Sequence, residues 1–140
     1  MRVVADTNIV VSGLMWRGHP RILLDSARAG DIRLFTTVVL LAELEDVLSR
    51  EKFAERLASA GLTAHDLVLG YAALASVIEP AEIEPLVVAD PDDDAVIACA
   101  IAAHCDVIVS GDTHLLGLKQ YRHIRILRAA ELVAALQAPK

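Results

Sequence analysis

Val3-Val4-Ala5-Asp6-Thr7-Asn8 opens the 140-residue chain with apolar residues running straight into a carboxylate. A continuous, β-branched apolar run of this kind is the mark of a central parallel strand buried on both faces. Carboxylates are rarely buried unless something compensates them. Three further acids lie inside or beside apolar stretches. These are Glu43 in Val38-Val39-Leu40-Leu41-Ala42-Glu43-Leu44, Asp94 before Ala95-Val96-Ile97-Ala98-Cys99-Ala100, and Asp112 after Val107-Ile108-Val109-Ser110-Gly111. A fold that brings these four together needs a cation between them.

Outward from the first strand, short β-branched runs alternate with longer helical patterns. Residues 9–14 and 20–29 read as helix, broken by Arg17-Gly18-His19-Pro20, where Gly and Pro punctuate. Residues 33–36 read as strand, and Thr36 or Thr37 can cap a helix through Glu43 to about residue 50, because a Thr oxygen accepts the orphan amides of a first turn. Helices are expected at 51–60 and 64–76, short extended pieces at 77–78 and 86–89, helix at 92–104, strands at 107–110 and 124–127, and a closing helix at 129–136. Strands alternating with helices of this length imply a parallel sheet covered on both faces. One α/β domain accounts for the chain, with no linker, repeat or low-complexity segment.

Composition narrows the functional classes. Hydrophobic content is 55% but aromatic content only 4%, so the core must be Leu, Val, Ile and Ala, and platforms of stacked aromatics are not expected. No apolar run reaches the ~20 residues that span a bilayer, and the N-terminus enters a strand directly, so a cytoplasmic, soluble protein is expected. Cys99 and Cys105 are expected to be buried free thiols. The formal net charge of −6 opposes gripping a polyanion by bulk electrostatics. The charge is uneven, however: residues 79–94 carry seven acids and no base, whereas Lys119, Arg122, Arg125 and Arg128 cluster without an acid, and Arg17, Arg21, Arg28 and Arg33 form a sparser basic set.

In an open parallel sheet, ligands bind outside the carboxyl ends of the strands. Asp6 closes the first strand and Asp112 follows the 107–110 strand, so both fall at that edge; each could equally serve as a helix N-cap. Glu43 shares a helical stripe with Val39, Leu40 and Val47, while Glu45 has apolar neighbours in Leu41, Ala42 and Leu48, so periodicity leaves both open. In Asp90-Pro91-Asp92-Asp93-Asp94 the acids suit a helix start, where the macrodipole favours negative charge. Asp94 shares a face with Ile97, Ala98 and Ile101, and Asp93 with Val96, Ile97 and Ala100, which again leaves two candidates. Unit charges about 4 Å apart repel by roughly 4 kcal/mol at an effective dielectric near 20. An all-oxygen site of this kind selects a hard ion, Mg²⁺ or Mn²⁺, and suits phosphodiester hydrolysis.

Asp6-Thr7-Asn8 at the first strand end, Glu43 in a Glu-Leu-x-x-Val-Leu helix, Asp94 three residues before Ile97-Ala98, and Ser110-Gly111-Asp112 together resemble the PIN-domain family, most closely the VapC-type ribonuclease toxins of toxin–antitoxin pairs. The likeness spans nearly the whole chain. It implies a three-layer α/β/α sandwich around a parallel sheet of about five strands, a Mg²⁺ or Mn²⁺ site, and endoribonuclease activity on single-stranded or structured RNA. Carried over by residue, Asp6, Glu43, Asp94 and Asp112 become metal ligands and catalytic carboxylates, with Asp92 a secondary ligand. Thr7 and Ser110 become supporting hydroxyls, and Asn8 orients Asp6. The resemblance also implies a homodimer and a cognate antitoxin. His114 matches a basic position of the family and is a minor candidate for a base; Trp16 is expected to pack at a dimer surface or over the helix break rather than stack on a base.

Two other α/β folds place an acid after the first strand. A haloacid-dehalogenase-type phosphatase wants a second Asp two residues on, where Asn8 stands, and a response-regulator receiver wants an acidic pair and a later Lys that are not evident. The remaining alternative is a PIN fold acting as a non-catalytic RNA-binding or protein-interaction module, against which the intact set of acids speaks.

Overall fold

The computed structural model describes residues 1–82 and 91–138, the side chains of Pro91 and Asp92 excepted. The expected strand at 86–89 and the Asp92 side chain therefore lie outside the described residues. The elements run β1 (Arg2–Ala5), α1 (Thr7–Met15), α2 (His19–Arg28), β2 (Arg33–Thr36), α3 (Val38–Leu48), α4 (Glu51–Ser59), α5 (Ala64–Leu74), β3 (Ser76–Val77), α6 (Pro91–Ala102), β4 (Val107–Val109), α7 (Thr113–Leu118), β5 (Gln120–Tyr121), β6 (Ile124–Leu127) and α8 (Ala129–Gln137).

The strands form one sheet in the order β3-β2-β1-β4-β6-β5. Five of them, β3, β2, β1, β4 and β6, are mutually parallel. The two-residue β5 adds an antiparallel edge that the sequence pattern did not announce. Strand alternation sends successive side chains to opposite faces. On one face Val3, Ala5, Leu34, Val107, Val109 and Leu127 meet apolar residues of α1, α2, α3, α4, α5 and α8. On the other, Val4, Phe35, Ile108 and Ile126 meet Val96, Ile97, Cys99 and Ala100 of α6 and Leu115 of α7. This is the expected three-layer α/β/α arrangement.

Close approach of α1 and α2 depends on Gly13. A Cβ there would stand 2.8 Å from Leu24 Cδ1 and 2.9 Å from the Pro20 carbonyl oxygen. Between β2 and α3, the cap is Thr37 and not Thr36: Thr37 Oγ1 accepts the Leu40 amide at 3.2 Å. Cys99 and Cys105 are free and buried, and burial pushes both thiols up to about 12. Among the described residues no single helix is long and apolar enough to cross a membrane.

The chain order places β2 and β3 to one side of β1 and β4, β6 and β5 to the other. The direction of winding therefore reverses between β1 and β4, and the loops at the carboxyl ends of these two strands diverge to leave a crevice. Asp6 follows β1 directly, and Ser110, Gly111 and Asp112 follow β4.

Candidate metal centre

Asp6 ends β1 with its amide still on the ladder, donating to the Val109 carbonyl at 3.0 Å. Its Oδ1 accepts the Ile9 amide at 2.9 Å, so Asp6 is the N-cap of α1. Its Oδ2 accepts the Ser110 hydroxyl in a short hydrogen bond. Capping and a place at the crevice thus coincide in one carboxylate. Burial pushes the Asp6 carboxyl above its ordinary range and the charge of Asp112 pushes it further, while hydrogen bonds from Ser110, Ile9 and Gly111 pull it back. A group buried in this way is costly to ionise alone, and an adjacent cation reverses that cost.

Asp112 plays the same double part at the next strand. Its Oδ1 accepts the amides of His114 at 2.8 Å and Leu115 at 3.2 Å, capping α7. Ser110, fully buried, joins the two carboxylates: its hydroxyl donates to Asp6 and its Oγ accepts the Asp112 amide at 2.9 Å.

A polar cavity of about 210 Å³ opens at this edge, walled by Asp6, Thr7, Asn8, Glu43, Arg50 and Asp93 among others. One member of each ambiguous pair lines it. Glu43 lines the cavity, whereas Glu45 points elsewhere, its Oε1 lying 3.1 Å from His65 Nδ1. In α6 it is Asp93 that lines the cavity, while Asp94 lines a separate pocket with Thr37, Val39, Pro80, Ala81 and Glu82. Asp94, the residue that the family resemblance singles out, therefore lines a different pocket from Asp6, Glu43 and Asp93.

The reason is helical phase. Asp93 stands three, four and seven residues before Val96, Ile97 and Ala100, whose exposures are 2%, 0% and 0%. The sheet-facing stripe of α6 carries Asp93 inward with it. Asp94 is rotated by about 100° from that stripe and is only half-buried.

Ligand atoms of Asp93, Asp112 and His114 lie within 4.8 Å of one another. His114 Nδ1 is also 3.6 Å from Asp112 Oδ1, at the exposed rim. Asp6, Glu43 and Asp93 thus share one cavity wall, and Asp112 stands beside Asp93 and His114. Carboxylate oxygens in this number fit a hard divalent ion that retains water ligands. Thr7 is buried beside Asp6, and Asn8 is exposed on the cavity wall.

Arg50 was not singled out in the sequence, yet it lines the cavity. It follows α3 by two residues, and a basic residue two turns beyond Glu43 and one beyond Val47 is the pattern that marks it. Its ion pair with Asp46 is long, 3.9 Å, and both side chains are largely exposed, so it is held weakly.

Residues 2–114, which include all of these acids, match the family model described as PIN domain. Comparison with curated proteins and with solved structures returns no match.

Proposed function

The chain belongs to the PIN-domain family, and on that premise we propose that it is a Mg²⁺- or Mn²⁺-dependent endoribonuclease, the toxin of a type II toxin–antitoxin pair. Membership of the PIN family suggests a nuclease fold, and the cluster of Asp93, Asp112 and His114 is a candidate metal site. The observation that carries the reading is the arrival of Asp6, Glu43 and Asp93, from three different elements, on the wall of one cavity, with Asp112 beside Asp93. A non-catalytic module has no use for that accumulated repulsion.

In this reading Asp6, Glu43, Asp93 and Asp112 hold the ion. When bound, a divalent ion lowers the pKa of water to yield a nucleophile and offsets charge on the attacking and leaving oxygens. The chain does the remaining work. Ser110 fixes Asp6 Oδ2 and so orients the carboxylate. The caps on α1 and α7 fix Asp6 and Asp112 to rigid helix starts, where positioning is tighter than on free loops. Arg50 on the wall offers a guanidinium to a phosphate. Asn8 offers an exposed amide on the same wall. Asp92 remains an additional ligand candidate by resemblance. A homodimer, a cognate antitoxin that covers the cavity, and a cytoplasmic site of action belong to the same proposal.

The test is a cleavage assay on total RNA with purified protein. Cleavage in Mn²⁺, abolished by EDTA and restored by excess Mn²⁺, is expected. No cleavage together with no Mn²⁺-dependent thermal stabilisation overturns the reading and leaves the RNA-binding or interaction module.

A further inference from the structure

A second groove, of about 470 Å³, runs on from the acidic cavity and shares Asn8, Val47 and Arg50 with it. Its far end is formed by Trp16, Lys52 and Phe53. Phe53 is buried and forms a floor, whereas Trp16, the only tryptophan of the chain, is 46% exposed. The Arg56 guanidinium sits 4.2 Å from the Trp16 ring centroid and braces it. Cation–π contact of this kind holds an exposed indole in place at low cost. In a chain of net charge −6, this one groove gathers Arg50 and Lys52 beside an aromatic ring.

We propose that this groove is the exit path of a single-stranded RNA: an unpaired base near the scissile phosphate stacks on Trp16, and the intervening phosphates lie against Arg50 and Lys52. The proposal rests on the nuclease reading above and names the substrate form it selects. Three features argue for it. The groove is continuous with the acidic cavity, so a strand leaving the acids crosses Arg50 first. Its cations complement phosphates, which the neighbouring carboxylates repel. Its aromatic surface is a single half-exposed indole, which can stack on an unpaired base but cannot reach the bases inside an A-form duplex. Trp16, for which the sequence points to packing at a dimer surface or over the helix break, is the C-cap of α1 and meets α4 through Arg56.

Because Trp16 is the sole tryptophan, its emission reports the groove directly. The full chain in EDTA is titrated with a ten-nucleotide single-stranded oligouridylate, and with an RNA duplex of equal length. Saturable quenching by the single strand and not by the duplex is expected. By anisotropy with 5′-labelled oligouridylate, Trp16→Leu weakens binding about 5- to 150-fold, the range expected from the loss of one stacked base, and Trp16→Phe retains part of the affinity. Arg50→Gln and Lys52→Gln each lower the slope of log Kd against log salt by about 0.7. Circular dichroism of each variant checks its fold.

Unchanged emission on adding RNA, or equal affinity in Trp16→Leu, overturns the proposal. So does emission that ignores RNA but shifts with protein concentration, since the ring then lies between copies of the chain. Wild-type cleavage in Mn²⁺ with no effect of Trp16 on binding sinks the groove and spares the nuclease. Trp16-dependent binding without Mn²⁺-dependent cleavage does the reverse.

Discussion

Replacing Asp6 by Asn should make the metal-free protein more stable and the metal-loaded protein less so. Asn keeps the N-cap, since its Oδ1 accepts the Ile9 amide as well as a carboxylate does. The bond to Ser110 reverses direction, the amide of Asn donating to Oγ, at a cost of about 1 kcal/mol for losing a charge-assisted contact. Against this stand two gains. The buried charge disappears, and so does its repulsion from Asp112, the two causes that raise the Asp6 pKa. Unit charges on neighbouring side chains repel by a few kcal/mol at an effective dielectric near 20. Asp112 has a side chain 30% exposed, so solvent screening lowers that to about 1–2 kcal/mol. With relief of desolvation added, a net gain of about 1–2 kcal/mol is expected, or about 3–6 °C in Tm for a domain of this size. Mn²⁺ at a hundred times its dissociation constant adds about 2.7 kcal/mol to a protein that binds it only when folded. Differential scanning fluorimetry with and without Mn²⁺ should therefore show the two melting curves exchange order. The pH dependence carries the same sign. A carboxyl whose folded pKa is raised binds protons in the folded state that the unfolded state has lost, so the metal-free wild type loses stability as pH rises from about 3.8 through the raised value. The advantage of Asp6→Asn should appear over that window and vanish below it. An Asn variant that melts lower without metal, and responds to Mn²⁺ as the wild type does, would refute the reasoning.

Asp93→Asn and Glu43→Gln should each lower kcat for RNA cleavage by at least about 100-fold, while Asp94→Asn stays within a few-fold of wild type; single-turnover assays in Mn²⁺ decide, and the opposite order would return the site to Asp94. Gly13→Ala should cost about 1–3 kcal/mol in urea unfolding, because a Cβ meets the Pro20 carbonyl and Leu24 at under 3 Å and a backbone oxygen yields less readily than a side chain. Thr37→Ala should cost about 1 kcal/mol by the same measurement, through loss of the cap on Leu40. Cys99 and Cys105, both fully buried with thiols pushed up to about 12, should resist a thiol reagent at pH 8 until the protein unfolds; rapid labelling of the native chain would contradict their packing.

The fold was legible because its signals are local. Val3-Val4-Ala5 and Val107-Ile108-Val109 are continuous apolar runs, as central parallel strands must be, and Asp6 and Asp112 follow them at the edge where such sheets bind ligands. What sequence could not settle was rotation about a helix axis. Asp93 and Asp94 both have apolar neighbours at helical spacing, and counting back from Ile97-Ala98 selects Asp94. Burial of Val96 and Ala100 against the sheet is a tertiary fact, and it turns Asp93 inward. The choice between Glu43 and Glu45 had the same origin, and there His65, twenty residues away on α5, marks the outward-facing acid. Arg50 and Trp16 were hidden for another reason. Neither belongs to an apolar period, and both line one groove although they sit in segments far apart in the chain. The acids that line the cavity can therefore be read from strand ends and helix faces, but the groove beside them is assembled only when α1, α3 and α4 pack together.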